Sequence, residues 1–444
     1  MLTCKKNELY TETAYHGAML RFGNGVHKII RTPAEWVGII AYLLGIAVVG
    51  CVVLRRMNNA GAFATHLVTT MTALYIAAAI LGLVAFIISR GTPHHARKIE
   101  NNLARIGFTN AAGEVPLLLR SSWQRTEGGR AVQVLEFLAC GLAKSVWENK
   151  QVEIAAALNV QVAKIEECDG KRRIRLYVVP ADNGLPDRLD WHDDLMNHEY
   201  PVCKVILGES LLEPVVVDFN VIPHMLVGGG TGSGKTVLLR CILMQLLRKS
   251  GVEVVIADLK GGADFSSVWR NHPHCKMIFD RAELAEYLDE LVEELNRRKE
   301  IIARADGCCN IYDYNNRCAL YLDRIFFAVD EVAEILDKTG LDKAEKEQVA
   351  RIERSLSTIA RLGRAFGIHL LLATQRPDAN ILSGQIKNNI AYRVCGRADN
   401  VLSMIILDNT DAANQIPSDA RGRFINGDGT VFQGYWFNES ILED

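Results

Sequence analysis

Two uncharged apolar runs dominate the first hundred positions. Residues 36–54 read WVGIIAYLLGIAVVGCVVL, 19 positions without a charge, and residues 66–88 read HLVTTMTALYIAAAILGLVAFII, 23 positions without a formal charge. At a helical rise of 1.5 Å per residue these are about 28 and 34 Å long, enough to cross the hydrocarbon of a bilayer. The first run begins too far into the chain, and lacks a clear cleavage pattern, for a simple signal peptide. The pattern predicts a tail over 1–35 and a two-helix transmembrane hairpin over 36–89. Lys5, Lys6, Arg21, Lys28 and Arg31 precede the hairpin, Arg90, Arg97, Lys98 and Arg105 follow it, and only Arg55 and Arg56 lie between the runs. That bias puts both ends of the chain in the cytoplasm, with a short outer loop.

Residues 90–200 change pattern. A helical stretch is expected near 131–158, and 159–180 alternates like two strands around Asp169-Gly170, a hairpin signal. The segment reads as a small α/β adaptor, serving as a spacer or as a docking or oligomerisation surface.

From 201 to 444 the chain repeats strand, loop and helix. MLVGG (225–229) is a buried strand leading into Gly229, Gly230, Thr231, Gly232, Ser233, Gly234, Lys235 and Thr236, which fits G-x-x-x-x-G-K-[ST] in full, with the apolar helix VLLRCILMQLL behind it. Glycines allow backbone N–H groups to wrap phosphates at a helix N-terminus, Lys235 is placed to reach the β- and γ-phosphates, and Thr236 to ligate Mg²⁺. ATP and Mg²⁺ are therefore the expected cofactors. A second strand, VEVVIADL (252–259), ends near Asp258 and Lys260; a third, RIFFAVDEV (324–332), ends on Asp330 and Glu331. A strand ending in two carboxylates suits phosphoryl chemistry: Asp330 to hold the metal through water, Glu331 to polarise the attacking water. A fourth strand, IHLLLATQR (368–376), ends at Gln375, which is either a γ-phosphate contact or an ordinary strand-end residue. Arg361 and Arg364 share one helix face before it. Either arginine could stabilise a neighbouring subunit's phosphate in trans, or simply face solvent.

Composition narrows the classes. The 444 residues suggest about three structural units. With 49% hydrophobic and 23% charged residues, the chain is neither disordered nor a disulfide miniprotein. Residues 1–90 carry eight Lys/Arg against three Asp/Glu, and the remainder 42 against 49, so the large part is acidic and any DNA contact there must be local. The 11 cysteines include no C-x-x-C pair, which points to reduced thiols rather than a zinc framework.

PHMLVGGGTGSGKTV (223–237), VDEVAEIL (329–336), GIHLLLATQRPDANILSGQIKNNI (367–390) and RGRF (421–424), with VILGESLLEPVVVDF (205–219), resemble the motor of FtsK/SpoIIIE-type DNA translocases over roughly 140–444. Two spans, an insertion after the acidic pair, and STIARLGRAFGIHLLLATQ and RVCGRADNVLSMIILDNTDA resemble the FtsK-like coupling proteins of Gram-positive conjugative elements, of the Tn916 and TcpA types. The resemblance implies an α/β, RecA-like P-loop motor, a homo-hexameric ring, ATP-driven DNA movement, and delivery of relaxase-bound DNA to a type IV secretion channel. It also implies Gln375 as a γ-phosphate sensor and Arg364, then Arg361, as the trans-acting arginine. No winged-helix segment follows RGRF before Asp444, so sequence-guided chromosome orientation is not expected. A Lys and an Arg that chromosomal members carry four apart are Asn400 and Met404 here. Lys387, Arg393 and Arg397 remain as candidates for a sequence-independent grip on a DNA backbone. Chromosome or plasmid partition and type VII-like protein export are the alternative functions.

Overall fold

The computed structural model describes residues 2–58, 65–126, 129–196, 202–262, 264–375 and 384–442. They form two compact units, Met1–Gly184 and Leu185–Asp444.

The first unit opens with helix α1 (Leu2–Arg31), so the expected tail is a helix for most of its length. Pro33 then starts α2 (Pro33–Asn58), as suits a residue lacking a backbone donor. α2 and α3 (Thr65–Gly91) contain apolar stretches Pro33–Val53 and Thr70–Gly91 long enough to cross a membrane, and their side chains face outward rather than into a core. Within the pair, the Tyr42 hydroxyl donates to the Ala79 carbonyl at 2.9 Å, and Phe86 covers Gly38. α1 crosses the end of α3 closely: a Cβ on Gly25 would meet the Ile87 carbonyl, and one on Gly91 the Arg21 carbonyl. Small residues permit such backbone approach.

After α4 (Ala96–Arg105), four strands form an antiparallel sheet in the order β1-β2-β4-β3: β1 (Leu117–Arg125), β2 (Ala131–Leu138), β3 (Val160–Cys168) and β4 (Arg173–Pro180). α5 (Lys144–Asn149) and α6 (Gln151–Leu158) lie between β2 and β3 and help close a core around Phe108, Phe137 and Trp147. The β3–β4 hairpin turns at Asp169 and Gly170, both at positive φ, as the sequence predicts. The helix expected over 131–158 is half right: 131–138 is a strand. Its Val132 and Val134 alternate, and pairing between β1 and β4 settles the ambiguity of a short apolar run.

The second unit is one 11-stranded mixed sheet. Its strands are β5 (Leu189–Asp190), β6 (Lys204–Ser210), β7 (Pro214–Asp218), β8 (Met225–Gly228), β9 (Val252–Ala257), β10 (Cys275–Ile278), β11 (Arg324–Val329), β12 (Ile368–Thr374), β13 (Tyr392–Gly396), β14 (Arg423–Asn426) and β15 (Val431–Trp436). The order is β10-β9-β11-β12-β8-β13-β14-β15-β6-β7, with β5 beside β15. The unit starts at Leu185 rather than at 201, because β5 pairs with β15 and the Arg423 guanidinium donates to the Leu185 and Pro186 carbonyls. From β10 to β13 the strands are parallel, and β11 and β12 are buried throughout. This suits continuous apolar runs covered by helices on both faces. One face packs α7 (Lys235–Leu247) through Leu239, Ile242 and Leu243. The other packs the helices Arg281–Arg304 and Lys343–Phe366 through Leu288, Leu295, Ile352 and Ile359. The Lys343–Phe366 helix begins with a capping box between Asp342 and Glu345 and ends on Gly367 at φ 70°.

Candidate active site

Parallel strands bring their C-terminal ends to one edge, and the chemistry collects there. β8 delivers the phosphate loop, β11 the acidic pair, and β12, lying between them, Thr374 and Gln375.

The loop's shape comes from its glycines. Gly232 and Gly234 sit at φ 75° and 97°, where a side chain is strained. A Cβ on Gly234 would also stand 2.9 Å from the Gly422 nitrogen. That contact explains the RGRF motif: Gly422 N–H donates to the Ser233 carbonyl at 2.9 Å and its carbonyl accepts from Gly434 N–H at 2.7 Å. Arg397 braces the loop's other side. Its carbonyl accepts from Gly230 N–H at 2.7 Å, and its guanidinium donates to the Thr231 and Ser418 carbonyls at 2.6 and 2.7 Å.

Lys235, at the start of α7, is 2% exposed and its ammonium lies 2.8 Å from Asp330 Oδ1, itself 2% exposed. Lys235 also donates to the Asp330 carbonyl, and the Thr236 hydroxyl donates to Asp330 Oδ1 at 2.8 Å. Burial pushes the Asp330 carboxyl up, but the Lys235 charge and the two hydrogen bonds outweigh it and hold the carboxyl below its usual range. Asp330 Oδ2 is buried without a hydrogen-bond partner among the described residues, with the Lys260 ammonium 3.6 Å away. Ser233 Oγ is likewise buried with no hydrogen-bond partner among the described residues. A hard carboxylate oxygen left unsatisfied beside a threonine hydroxyl is the donor set that a Mg²⁺-nucleotide uses. The residues therefore fit the expected cofactors. Asp258, at the end of β9, is 3% exposed and burial raises its carboxyl pKa, with Asp264 and Asp330 adding to the rise.

Glu331 is 6% exposed and oriented from two sides. The Thr374 hydroxyl donates to its Oε1 at 2.8 Å, and the Gln375 N–H to its Oε2 at 2.9 Å; Ala333 N–H adds a longer bond of 3.3 Å to Oε1. The Gln375 side chain accepts from the Thr231 hydroxyl at 3.3 Å, so it bridges the carboxylate and the phosphate loop. Thr374 and Gly422 had no role assigned from the sequence, and Arg397, expected as a DNA contact, braces the phosphate loop instead. The only signals for them were the polar end of β12 and the RGRF motif, because the contacts join positions far apart in the chain.

The remaining candidates lie elsewhere. Arg361 and Arg364 are exposed near the end of the Lys343–Phe366 helix, which leads into the start of β12 and thus the sheet edge opposite the phosphate loop. Arg364 donates to the Asn220 carbonyl at 3.3 Å; Arg361 has no ion-pair partner among the described residues. Lys387 and Arg393 converge on Asp408, at 2.6 and 2.5 Å, rather than standing free. Arg397 belongs to the phosphate loop. Residues 376–383, within the longest stretch of resemblance, lie outside the described residues.

The FtsK/SpoIIIE family model matches residues 190–379. The DNA translocase FtsK of Shewanella oneidensis is 35% identical over 308 residues, covering 62% of this chain and 33% of that protein. The DNA translocase SpoIIIE of Bacillus subtilis strain 168 is 28% identical over 324 residues, covering 68% of this chain and 38% of that protein. The chain thus spans well under half the length of these two relatives. The structure of the pCW3 conjugation coupling protein TcpA, in a monomer form with ATPγS, matches with a TM-score of 0.58 and 32% identity, covering 79% of this chain and 99% of that one. Since nearly all of that solved chain aligns here at 32% identity, and the phosphate loop and acidic pair lie within the matched family region, this chain belongs to the FtsK/SpoIIIE family.

Proposed function

We propose that the chain is a membrane-anchored, ATP-driven DNA translocase acting as a conjugative coupling protein, which delivers DNA and its relaxase to a type IV secretion channel. The observation that carries this reading is the alignment with 99% of the solved chain of a conjugation coupling protein at 32% identity. The two apolar helices would anchor it, with the motor and both termini in the cytoplasm. Thr236 and Asp330 would hold Mg²⁺, which supplies neutralisation of charge on the β- and γ-phosphates.

The chain's own residues do the rest. The loop's N–H groups cradle the phosphates, and Lys235 leaves Asp330 to meet them. Glu331, aimed by Thr374 and the Gln375 N–H, takes the proton of the attacking water. Gln375, touching both Glu331 and the loop, senses the γ-phosphate. Arg364 and Arg361, on the far edge from their own loop, serve a neighbour's site in a homo-hexamer. Lys387 and Arg393 grip DNA only by leaving Asp408, so they rank below an unpaired cation as backbone contacts.

ATPase rates of the full chain in nanodiscs, with and without single- and double-stranded DNA, test the reading, with Glu331→Gln as control. DNA stimulation that vanishes in the control, together with loss of plasmid transfer in matings, is the expected result. Turnover indifferent to DNA in confirmed rings would remove the translocase reading and favour protein export. DNA-stimulated turnover with normal mating would favour partition.

A further inference from the structure

The chain places a cationic cleft where its two apolar helices meet the four-stranded sheet. The cleft has a volume of about 650 Å³ and is lined by the end of α1, the end of α3, the turn into α2, and β1, β2 and β4. Its charged walls are Lys28, Arg31, Arg90, Arg120 and Arg173, against one carboxylate, Glu136. Glu136 is already committed, with Arg173 at 3.0 Å and Arg175 at 3.2 Å. A further carboxylate, Glu35, is shared between Lys28 at 3.5 Å and Arg90 at 3.4 Å, and both cations stay about half exposed. Arg31 and Arg120 are exposed and have no ion-pair partner among the described residues. Arg173 also pairs with Asp169 at 3.2 Å, but like charges gathered in one concavity repel, and three carboxylates do not neutralise five cations.

The walls are held in place. Arg21 pairs with Glu100, whose carboxylate also accepts from Leu118 N–H at 2.9 Å, and the Asn24 amide donates to the Leu119 carbonyl at 3.3 Å. α1 is thereby fixed to β1, and the cleft does not depend on one mobile side chain.

Its position selects the ligand. The apolar stretch of α2 begins at Pro33, two positions after Arg31, and that of α3 ends at Gly91, next to Arg90. Trp36, Val37 and Ile40 are exposed just beyond the cleft, an aromatic and two aliphatic side chains at the depth where a bilayer changes from headgroup to hydrocarbon. We propose that this cleft binds the phosphate headgroup of an anionic phospholipid, with the acyl chains running along α2 and α3. The inference rests on the reading that those helices span the membrane.

The test uses the full chain in neutral detergent and in vesicles. Vesicle insertion comes first: release by alkaline carbonate would remove the spanning reading, and this proposal with it. With insertion established, binding of fluorescent phosphatidylglycerol, cardiolipin and phosphatidylcholine is compared at one ionic strength. The expected result is a preference for the anionic lipids of at least tenfold, with affinity for them lowered about 30-fold in Arg31→Gln/Arg120→Gln, from roughly fivefold per basic group. Arg31→Lys/Arg120→Lys should retain most of the binding. Equal affinity for phosphatidylcholine, or no change in the double glutamine variant, would overturn the proposal. So would displacement of lipid by inorganic phosphate at matched ionic strength, which would assign a free-phosphate site, or loss of oligonucleotide binding alone in the variant, which would assign a nucleic-acid contact.

Discussion

Thr374→Val tests the geometry of the proposed base most directly. Valine has the shape of threonine without the hydroxyl, so the change removes the hydroxyl's bond to Glu331 and keeps the side chain's volume. That hydroxyl is the short partner of Glu331 Oε1 at 2.8 Å; after its loss Oε1 keeps, among the described residues, only the Ala333 N–H at 3.3 Å, while Oε2 keeps the Gln375 N–H at 2.9 Å. A hydrogen bond to a charged group contributes about 1.5–3 kcal/mol. Glu331 is buried, so water does not readily replace the partner. If that orientation is expressed fully in the transition state, kcat falls about 10- to 150-fold at roughly 1.4 kcal/mol per decade. Thr374 is directed at Glu331 rather than at the phosphate loop, so KM for ATP should stay within about twofold, the split expected when only transition-state stabilisation is lost. Thr374→Ser restores the donor and should recover most of the rate. The assay is steady-state ATPase of the full chain, with nucleotide affinity measured separately and folding checked by circular dichroism. A folded Thr374→Val variant with kcat within twofold of the parent would refute the assignment of Thr374 as the positioning residue for Glu331.

Further outcomes follow from other contacts. Asp330→Ala strands a buried ammonium on Lys235 and should lower stability by about 3–5 kcal/mol, whereas Lys235→Met/Asp330→Leu should recover much of it, as read from unfolding midpoints without nucleotide. His224 is buried, which pushes its pKa down to about 4, and its Nδ1 accepts from Leu370 N–H at 2.9 Å; burial also holds His369 well below the usual histidine range, with His224 adding to the shift. Unfolding frees both to take a proton near pH 6.5, so their contribution is complete above that pH and declines below it, by up to about 1.4 kcal/mol per pH unit each; His224's share is exhausted near pH 4. His224→Asn, which keeps an acceptor, should flatten the pH dependence of the unfolding midpoint between about pH 6 and 4. Gly422→Ala puts a Cβ at φ 68°, 2.8 Å from the Gln433 amide, and should weaken nucleotide binding at least several-fold by displacing the loop it supports, as measured by fluorescent ATP titration. Arg361→Ala or Arg364→Ala should spare nucleotide affinity but abolish turnover in rings, and mixing with Glu331→Gln subunits should restore part of the rate if the arginine acts in trans.

The chain sequence by itself determined the ingredients whose signals are local. Two uncharged runs require lipid or an unusually long core. A phosphate loop needs its glycines within eight consecutive positions. A buried strand ending in Asp330 and Glu331 announces itself by the change from apolar to acidic. Asp169-Gly170 reads as a hairpin because left-handed backbone is available there. What the sequence left open was decided by pairing between distant positions. Residues 131–138 became a strand because β1 and β4 flank them, not because their periodicity compelled it. Thr374 reached Glu331, and Gln375 reached Thr231, because β12 was inserted between β8 and β11. Arg397 moved from an expected DNA contact to a brace on the phosphate loop, while Lys387 and Arg393 were drawn to Asp408. The juxtaposition of Arg31, Arg90 and Arg120 had no trace in spacing at all. A charge's role depends on which partner lies within about 4 Å, and only the folded backbone sets that distance.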